Sequence, residues 1–354
     1  MHVGVLTGGG DCPGLNAVIR AVTLSLIHEA GARVTGIEQG FLGLVERRAR
    51  PLDVPAVMDI VNLGGTILGT HNRANPFAYF DAGGADVSAA VMDYVRELGL
   101  DALVVIGGDG TMTIAHKLGA LGLPIVGVPK TIDNDLMASD RSFGFDSAVA
   151  VVAEAIMRLE TTAQSHRRVM LVETMGRYAG WIALEAGLAG GADVILIPEV
   201  PYDVATVVAR CRAHQRSAGS TLICVAEGAA PVGGQMTVER RIAGSPDPLR
   251  LGGVVQTLRA ELEQHLDSEV RATVLGHVQR GGPPTAFDRV LATRLGCHAA
   301  ELVRARQFGV MVALQGDAMA SVPLAAVAGA CRTVPPDHEL IRAARALGVV
   351  LGDQ

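Results

Sequence analysis

A lysine, a threonine and two aspartates directly follow an apolar run in the stretch GVPKTIDND, residues 127–135. The apolar run LPIVGVP predicts a buried strand of a parallel sheet, and open α/β sheets bind their ligands at the carboxyl ends of such strands. Thr131, Asp133 and Asp135 alternate, so their side chains would share one side if the backbone stays extended. Two carboxylates beside Lys130 suit proton abstraction next to a metal-bound phosphate, whereas an Asx-turn would produce the same DND sequence. The stretch therefore predicts either a catalytic loop or a tight turn.

A glycine-rich turn follows another predicted strand in VVIGGDGTMTIA. Gly107, Gly108 and Gly110 free the backbone to turn sharply, and Thr111 can cap the helix that follows. Backbone N–H groups at such a helix start would face an anion, and Asp109 is a carboxylate of the kind that Mg²⁺ binds. A phosphate and metal site and a tight βα turn with a capping aspartate both fit this pattern.

The first predicted strand also ends in glycines, in LTGGGDCPGLNAVIR. The glycines and the later Glu38 partly match a dinucleotide-binding fingerprint, in which an acid binds the ribose. Pro13 stands where the third glycine should open the helix, so the pattern disfavours a dinucleotide site and a Rossmann oxidoreductase. Two phosphate-facing turns in one domain remain the preferred interpretation.

Basic side chains follow two further predicted strands, Arg177 in ETMGRYAG and both His277 and Arg280 in TVLGHVQRGG. Guanidinium groups bind phosphates with two parallel hydrogen bonds. Glu227 closes the apolar strand TLICVAE and could accept hydrogen bonds from sugar hydroxyls. Each residue also has a structural interpretation: surface ion pairs for the arginines, a hydrogen-bonded structural role for His277, and an ordinary turn for Glu227.

Composition limits the classes of function. With 354 residues, of which 49% are hydrophobic, the chain can form two domains with large cores. A net charge of -6 argues against nucleic-acid and membrane-surface partners, which need a basic face. Five widely spaced cysteines without a CxxC pair suggest neither disulfides nor a zinc site, and the first residues leave no room for a signal peptide, so a cytoplasmic protein is expected.

Short β-branched runs alternate with helical patterns along almost the whole chain, which predicts an α/β fold with doubly wound, mainly parallel sheets. The polar, glycine- and proline-rich segment 229–253 predicts a surface hairpin or loop. The late apolar stretch GVMVALQGDAMASVPLAAVAGAC is interrupted by Gln315, Asp317 and Pro323. It predicts a strand, a turn and a helix and not a membrane span.

Six motifs in order, GVLTGGGDCPGLNAVIR, GGDGT, PKTIDND, SHRRVMLVETMGRYAGWIA, VAEG and RATVLGHVQRGG, closely resemble the 6-phosphofructokinase family from Val3 to about Gly296. The resemblance implies phosphoryl transfer from ATP or pyrophosphate to the C1 hydroxyl of fructose 6-phosphate, with Mg²⁺. It also implies a homotetramer, or a dimer, with shared sites in the cleft between two α/β domains. Residues 1–143 plus 279–306 would bind the donor, and residues 144–278 plus 307–354 would bind the sugar phosphate.

The resemblance also implies a role for each matching residue. Asp133 would be the general base, Asp109 would hold Mg²⁺, and Thr131 and Arg177 would steady the transferring phosphoryl group. The matching donor-site positions are Gly9, Arg73, Gly108, Gly110 and Thr111, the sugar-phosphate positions are Met175, Gly176, Glu227, His277 and Arg280, and the arginines supplied by a neighbouring subunit are Arg168 and Arg271.

Three departures from the family pattern affect details. GTHNRANPF carries one extra residue, so Asn72 could take the position assigned to Arg73. The basic residues of the family's effector site are absent around Leu24 and Ala218, although Arg20 remains. Family members that use ATP usually have glycine at the positions of both Gly110 and Lys130, and pyrophosphate users have aspartate and lysine, so this chain combines the two patterns.

Gly110 favours ATP as the donor, because an aspartate there would exclude the α-phosphate whereas Lys130 can neutralise a phosphoryl group from either donor. The GGDGT motif also resembles NAD kinases and diacylglycerol kinases, but these families leave PKTIDND and GHVQRGG unexplained. A sugar-phosphate sensor without catalysis would keep the arginines and could lose the base. The presence of both Asp109 and Asp133 favours an enzyme.

Overall fold

The computed structural model describes residues 1–217, 219–242 and 248–353, which divide into two compact units. Unit 1 comprises Met1–Ile132, Leu136–Ser147 and Arg280–Cys331. Unit 2 comprises Asp133–Asp135, Ala148–Gln279 and the described residues from Arg332 onwards. The chain therefore enters each unit more than once.

Strands and helices alternate along most of the described chain. The strands are β1 (His2–Thr7), β2 (Arg33–Ile37), β3 (Ala49–Leu52), β4 (Ala102–Gly107), β5 (Ile125–Thr131), β6 (Phe143–Gly144), β7 (Val169–Thr174), β8 (Val194–Leu196), β9 (Thr221–Ala226), β10 (Val238–Arg241), β11 (Leu249–Leu251), β12 (Val270–Val274), β13 (Val310–Gln315) and β14 (Ala318–Pro323). The α-helices are α1 (Leu15–Ala30), α2 (Phe41–Val45), α3 (Val54–Val57), α4 (Ser88–Leu98), α5 (Asp109–Ala120), α6 (Phe145–His166), α7 (Trp181–Ala189), α8 (Val204–Ser217), α9 (Val254–Glu263), α10 (Ala286–Arg304) and α11 (Glu339–Ala346). No helix of the described residues is long and apolar enough to cross a membrane.

Unit 1 is built on one sheet with the strand order β14-β13-β5-β4-β1-β2-β3, and β6 pairs with the end of β5. The pairings of β1, β2, β4, β5 and β13 are parallel, and β3 and β14 add antiparallel edges. Every residue of β1, β4 and β5 is buried, as expected for central strands covered by helices on both faces.

Unit 2 contains a second sheet with the order β12-β7-β9-β8, in which all pairings are parallel. Its core is formed by buried side chains of these strands together with α8 and α9. The strands β10 and β11 form an antiparallel hairpin within segment 229–253, which confirms the predicted surface hairpin, and residues 243–247 of that segment lie outside the described residues. The predicted α/β fold with two mainly parallel sheets is confirmed.

Two expectations about the C-terminal part differ from the structure. The predicted helix after the turn at Gly316 is instead β14, because Gly316 (φ 56°) closes a hairpin in which all of β14 pairs with β13. Residues 307–331 were expected with the sugar-phosphate-binding residues but lie in unit 1, because β13 pairs in parallel with β5. The boundaries also shift by a few residues, since unit 1 extends to Ser147 and unit 2 takes Asp133–Asp135 and Gln279.

A buried polar network joins the start of α10 to the first turn of α6 within unit 1. Thr285 caps α10 by accepting a hydrogen bond from the backbone N–H of Asp288. The fully buried Asp288 accepts hydrogen bonds from the Ser147 backbone N–H (2.8 Å) and hydroxyl (2.6 Å). Burial raises the pKa of Asp288 to about 6, while its hydrogen bonds with Ser147 oppose the rise.

An acid whose pKa rises on folding binds more protons in the folded state, so its stabilising contribution is complete below its ordinary pKa of 3.8 and is lost as the pH rises through about 6. The uncharged variant Asp288→Asn lacks this dependence. As the pH rises from about 4 to 6.5, the thermal midpoint of the wild type should therefore fall relative to that of Asp288→Asn. A difference between the two midpoints that stays constant across that range would contradict the assignment.

Candidate active site

The two glycine-rich turns lie side by side in unit 1. β1 and β4 pair in parallel with Thr7 opposite Ile106, so both strands end at the same edge of the sheet. The buried Thr111 side chain fills the space between the turns: a Cβ added at Gly8 would lie 2.8 Å from it, and one added at Gly107 would lie 2.4 Å from it. Glycine is therefore required at both positions for this close approach.

The predicted donor residue Gly9 lies next to two of the other predicted donor-side residues. Its φ of 75° lies in the left-handed region that favours glycine. A Cβ at this position would lie 3.5 Å from Lys130 Nζ and 3.6 Å from Thr111 Oγ1. The Thr70 hydroxyl donates a hydrogen bond to the Gly9 carbonyl and fixes the loop from the other side.

Two cationic side chains contact the carbonyl groups of this loop. The buried Lys130 ammonium donates a hydrogen bond to the Gly10 carbonyl. Arg280 Nη1 donates to the Asp11 carbonyl at 3.0 Å. Arg280 was predicted as a sugar-phosphate residue, and the structure places it in unit 1 beside the glycine loop. The loop, the two cations and the amino end of α5 form a set suited to an anion.

Asp109 begins α5 directly after its N-cap, Gly108. Mg²⁺ is usually held by one or two carboxylates together with phosphate oxygens and water, so a single partly buried carboxylate beside an anion site fits this ion. The described residues contain no group of three or more His, Cys, Asp or Glu side chains that could hold a metal ion by themselves. A Cβ added at the exposed Gly110 would meet no atom within 4 Å, so the position has room for a side chain.

The predicted donor-site residue Arg73 lies in an exposed part of unit 1, and the expected effector site is only partly within the described residues. Arg73 is exposed and its guanidinium lies 4.9 Å from the centre of the Phe80 ring, while Asn72 beside it is also exposed. Arg20 donates to the Met58 carbonyl. Ala218, which marks the other side of the expected effector site, lies outside the described residues.

The stretch that follows β5 does not continue as an extended strand. β5 ends at Thr131, the chain bends at Ile132 and Asp133, and Asn134 has a left-handed φ of 53°. The predicted alternation of Thr131, Asp133 and Asp135 along an extended backbone is therefore wrong, because it holds only while the backbone stays extended. Asp133 is buried, with 5% of its surface exposed.

The turn after β7 in unit 2 is held by the carboxylate of Glu227. Glu227 Oε1 accepts hydrogen bonds from the backbone N–H groups of Gly176 (3.2 Å) and Arg177 (2.9 Å). Arg177 itself has a left-handed φ of 51°. A Cβ at Gly228 would lie 2.1 Å from the Arg177 carbonyl oxygen, so the chain after β9 must carry glycine there. The structure thus brings together Gly176 and Glu227, which were predicted for the sugar phosphate, and Arg177, which was predicted for the phosphoryl group.

Burial raises the pKa of Glu227 to about 7. The hydrogen bonds from the Arg177 and Gly176 N–H groups oppose the rise, and the negative charges of Asp133 and Glu173 add to it. Asp133 is thus close enough for its charge to act on Glu227. At neutral pH Glu227 is present in both protonation states, so it can accept a hydrogen bond from a hydroxyl group or donate one to it.

His277 is exposed in the short helix Gly276–Arg280 that follows β12, and Gln279 in the same helix is fully buried. Gln279 accepts a hydrogen bond from the Met175 N–H (3.2 Å) and donates one to the Gly276 carbonyl (3.0 Å). It thereby fixes the loops of two predicted substrate residues, Met175 and His277. Gln279 was not among the residues predicted from the sequence, although a polar residue inside the GHVQRGG motif was the available signal.

Arg168 and Arg271 lie near the amino ends of strands in the sheet of unit 2, whereas the turn at Gly176 and Arg177 follows the carboxyl end of β7. Arg168 precedes β7 and Arg271 is the second residue of β12, whereas Met175 follows β7. Both arginines form ion pairs with Glu269, each with a different carboxylate oxygen. At about 3.3 Å per residue, the two ends of β7 place Arg168 and Met175 roughly 20 Å apart.

Comparison with known proteins gives consistent results. A family model described as Phosphofructokinase matches residues 2–303. The chain is 47% identical to the ATP-dependent 6-phosphofructokinase 2 of Clostridium perfringens over 99% of this chain and 98% of that protein. It is 50% identical to the pyrophosphate–fructose 6-phosphate 1-phosphotransferase of Streptomyces coelicolor over 95% of this chain and 97% of that protein.

Solved structures show the same fold. The phosphofructokinase of Saccharomyces cerevisiae superposes with a TM-score of 0.77 at 31% identity, over 92% of this chain and 45% of that longer chain. A pyrophosphate-dependent phosphofructokinase from Marinobacter aquaeolei, at 21% identity, superposes with a TM-score of 0.81 over 99% of this chain and 91% of that one. The extent of the family match and the identity to full-length relatives show that this chain belongs to the phosphofructokinase family.

Proposed function

We propose that this chain is a 6-phosphofructokinase, which transfers a phosphoryl group from ATP to the C1 hydroxyl of fructose 6-phosphate and yields fructose 1,6-bisphosphate. The observation that carries the proposal is the buried Asp133 just past the carboxyl end of β5, in a chain whose full-length relatives are named for this reaction. A coupled assay for fructose 1,6-bisphosphate tests it directly. A catalytically silent sugar-phosphate sensor would bind fructose 6-phosphate without forming the product.

The chain's own residues supply a base and positive charge, which phosphoryl transfer needs more than covalent catalysis. Asp133 takes the proton of the C1 hydroxyl as that oxygen bonds to the γ-phosphorus of ATP, while the bond from this phosphorus to the β–γ bridging oxygen breaks and ADP leaves. Thr131 and Arg177 steady the phosphoryl group, and Lys130 neutralises part of its charge. Glu227 holds the turn at Gly176 and Arg177 and exchanges hydrogen bonds with sugar hydroxyls.

Asp109, at the start of α5, would hold Mg²⁺ together with phosphate oxygens of the donor. When bound, the ion offsets the negative charge of the phosphates. The donor phosphates would lie against Gly9, Gly108, Gly110 and Thr111, with the adenosine extending towards Arg73 or Asn72.

Pyrophosphate is the second candidate donor. The observation that favours it is the buried Lys130 of β5, whose ammonium donates a hydrogen bond to the Gly10 carbonyl of the glycine loop. Relatives of nearly equal similarity are named for each donor. ATP remains the preferred donor because the open space at Gly110 leaves room for an α-phosphate.

A second copy of the chain would complete each acceptor site. Met175, Gly176, Glu227 and His277 follow the carboxyl ends of their strands, whereas Arg168 and Arg271 lie at the amino edge of the same sheet. A single sugar phosphate cannot span the roughly 20 Å between these edges. The site therefore takes Arg168 and Arg271 from a neighbouring subunit in a cytoplasmic homotetramer or dimer.

Replacement of the proposed base tests the mechanism. Asp133→Asn preserves the shape of the side chain but cannot take a proton, so turnover should fall by about 10²- to 10⁴-fold. Asp59→Asn, which makes the same change at an exposed aspartate of unit 1, is the control and should retain full turnover. Full activity of Asp133→Asn in the coupled assay would refute the role of Asp133.

The donor is tested at Gly110. Gly110→Asp places bulk and negative charge into open space beside the donor, so kcat/KM with ATP should fall by about 100-fold or more. Lys130→Met should lower turnover with whichever donor is used. Gly119→Asp adds the same side chain to α5 at another open position and serves as the matched control. A wild type that prefers pyrophosphate tenfold or more at matched free Mg²⁺ would reverse the donor assignment.

Subunit mixing tests the shared acceptor site. Arg168→Ala or Arg271→Ala should raise the KM for fructose 6-phosphate by about 10- to 100-fold, the size of a lost charge-assisted hydrogen bond, with little effect on the donor KM. Arg158→Ala on α6 is the surface control. Hybrids of Arg168→Ala and Asp133→Asn subunits should regain activity, because some sites then combine two intact halves. A fully active monomer would exclude the shared site.

A further inference from the structure

A short segment beyond the family-model match, Arg332–Val334, contacts two parts of the proposed acceptor site within unit 2. The family-model match ends at residue 303 and the six motifs end by about Gly296, so neither includes this segment. The reaction proposed above assigns no role to Arg332 or to its aromatic partner Trp181.

The first contact is with the loop that carries Asp133. The backbone N–H of Arg332 donates a hydrogen bond to the Asp135 carbonyl at 2.7 Å. This loop has left the sheet, since β5 ends at Thr131, and it passes through the left-handed Asn134. This hydrogen bond belongs to an isolated antiparallel bridge between Leu136 and Cys331, so the segment at Arg332 restrains the loop directly after Asp133 through its backbone.

The second contact is with the turn that carries Gly176 and Arg177. Trp181 is the first residue of α7, four residues after Arg177, and its side chain is 4% exposed. Trp181 Nε1 donates to the Arg332 carbonyl at 3.1 Å, and the Arg332 guanidinium lies 4.5 Å from the centre of the indole ring. One side chain thus holds both the peptide and the guanidinium of Arg332.

Glu199 adds a parallel connection. Its carboxylate accepts hydrogen bonds from the Gly180 N–H, just before Trp181, and from the Val334 N–H at 2.8 Å. Burial raises the pKa of Glu199, while these backbone hydrogen bonds oppose the rise. The segment is consequently fixed at Arg332 and again at Val334 to the turn that precedes α7.

We propose that Arg332 is a positioning residue for the general base: stacked on Trp181, it couples the turn at Gly176–Arg177 to the loop at Asp133–Asp135. The inference rests on the proposed phosphoryl transfer with Asp133 as the base. Arg332 touches no reacting atom in this scheme and acts through the Asp135 carbonyl. Its loss would leave the chemical groups in place but let the base loop move relative to the acceptor turn, and small displacements of reacting groups slow catalysis strongly.

Two variants break the connection at different atoms. Arg332→Ala removes the guanidinium from the indole face, and Trp181→Phe keeps an aromatic face but removes the N–H that binds the Arg332 carbonyl. Arg332→Ala should lower kcat by about 5- to 30-fold, the range of a desolvated cation–π contact, and Trp181→Phe should lower it by about 2- to 10-fold, the range of one lost hydrogen bond. Both should leave the donor KM unchanged. The double variant should be little worse than the more damaging single variant, because both changes break the same connection.

Arg342→Ala is the matched control, since Arg342 is an exposed arginine of α11 in the same C-terminal part. Arg332→Lys should recover part of the lost turnover, because it restores a cation over the ring. The pH dependence of kcat should shift on its acidic side in Arg332→Ala and stay unchanged in Arg342→Ala, a readout that a purely structural role would not move. Trp181 is the single tryptophan of the chain, so its emission shows whether the turn stays packed in the Arg332 variants.

Outcomes separate this inference from the proposed function. If the wild type forms fructose 1,6-bisphosphate and Asp133→Asn does not, the function stands. Full kcat in both Arg332→Ala and Trp181→Phe would then overturn the positioning role alone. A kcat loss that merely follows a lower fraction of folded protein, with an unchanged pH profile, would overturn it as well. A wild type that forms no product would overturn both.

Discussion

The close packing of Thr111 between Gly8 and Gly107 is the constraint on which the proposed donor site of unit 1 depends. Two strand-to-helix turns can approach each other this closely only where neither carries a Cβ, because a methyl group at either glycine would overlap the threonine side chain. The approach brings the Gly9 loop to the amino end of α5 and to Lys130. The Lys130 ammonium and the amino end of α5 then lie beside the same loop, and both favour a bound anion such as phosphate.

In unit 2, predicted site residues lie at both the carboxyl ends and the amino ends of the strands of one parallel sheet. Its carboxyl edge carries the turn at Gly176–Arg177, the Glu227 carboxylate and the helix with His277. Its amino edge carries Arg168 and Arg271, which share Glu269 in the single chain. Because parallel strands all run in one direction, the two ends of each strand lie at opposite ends of the sheet, and the proposed acceptor site would need a second copy of the chain to use both.

Buried charged groups in both units are held by backbone groups. Lys130 donates to the Gly10 carbonyl, and Glu227 accepts from the Gly176 and Arg177 N–H groups. A buried charge without such a partner would be costly, so these hydrogen bonds help to keep the groups where a substrate can meet them. The raised pKa of Glu227 shows that the compensation is partial. A ligand that forms hydrogen bonds or ion pairs with these groups would offset the remaining cost of burying their charge, and this favours binding.

The sequence by itself determined the α/β class, the buried strand before PKTIDND and the family, because hydrophobic periodicity and glycine positions are local properties of the chain. It could not determine the bend at Ile132–Asp133, since whether an extended strand continues depends on which neighbours remain to pair with it. It also missed Gln279 and Arg332, and it assigned β13 and β14 to the wrong unit. Only the tertiary structure decided these points, because each rests on contacts between residues tens to hundreds of positions apart, and no local pattern records them.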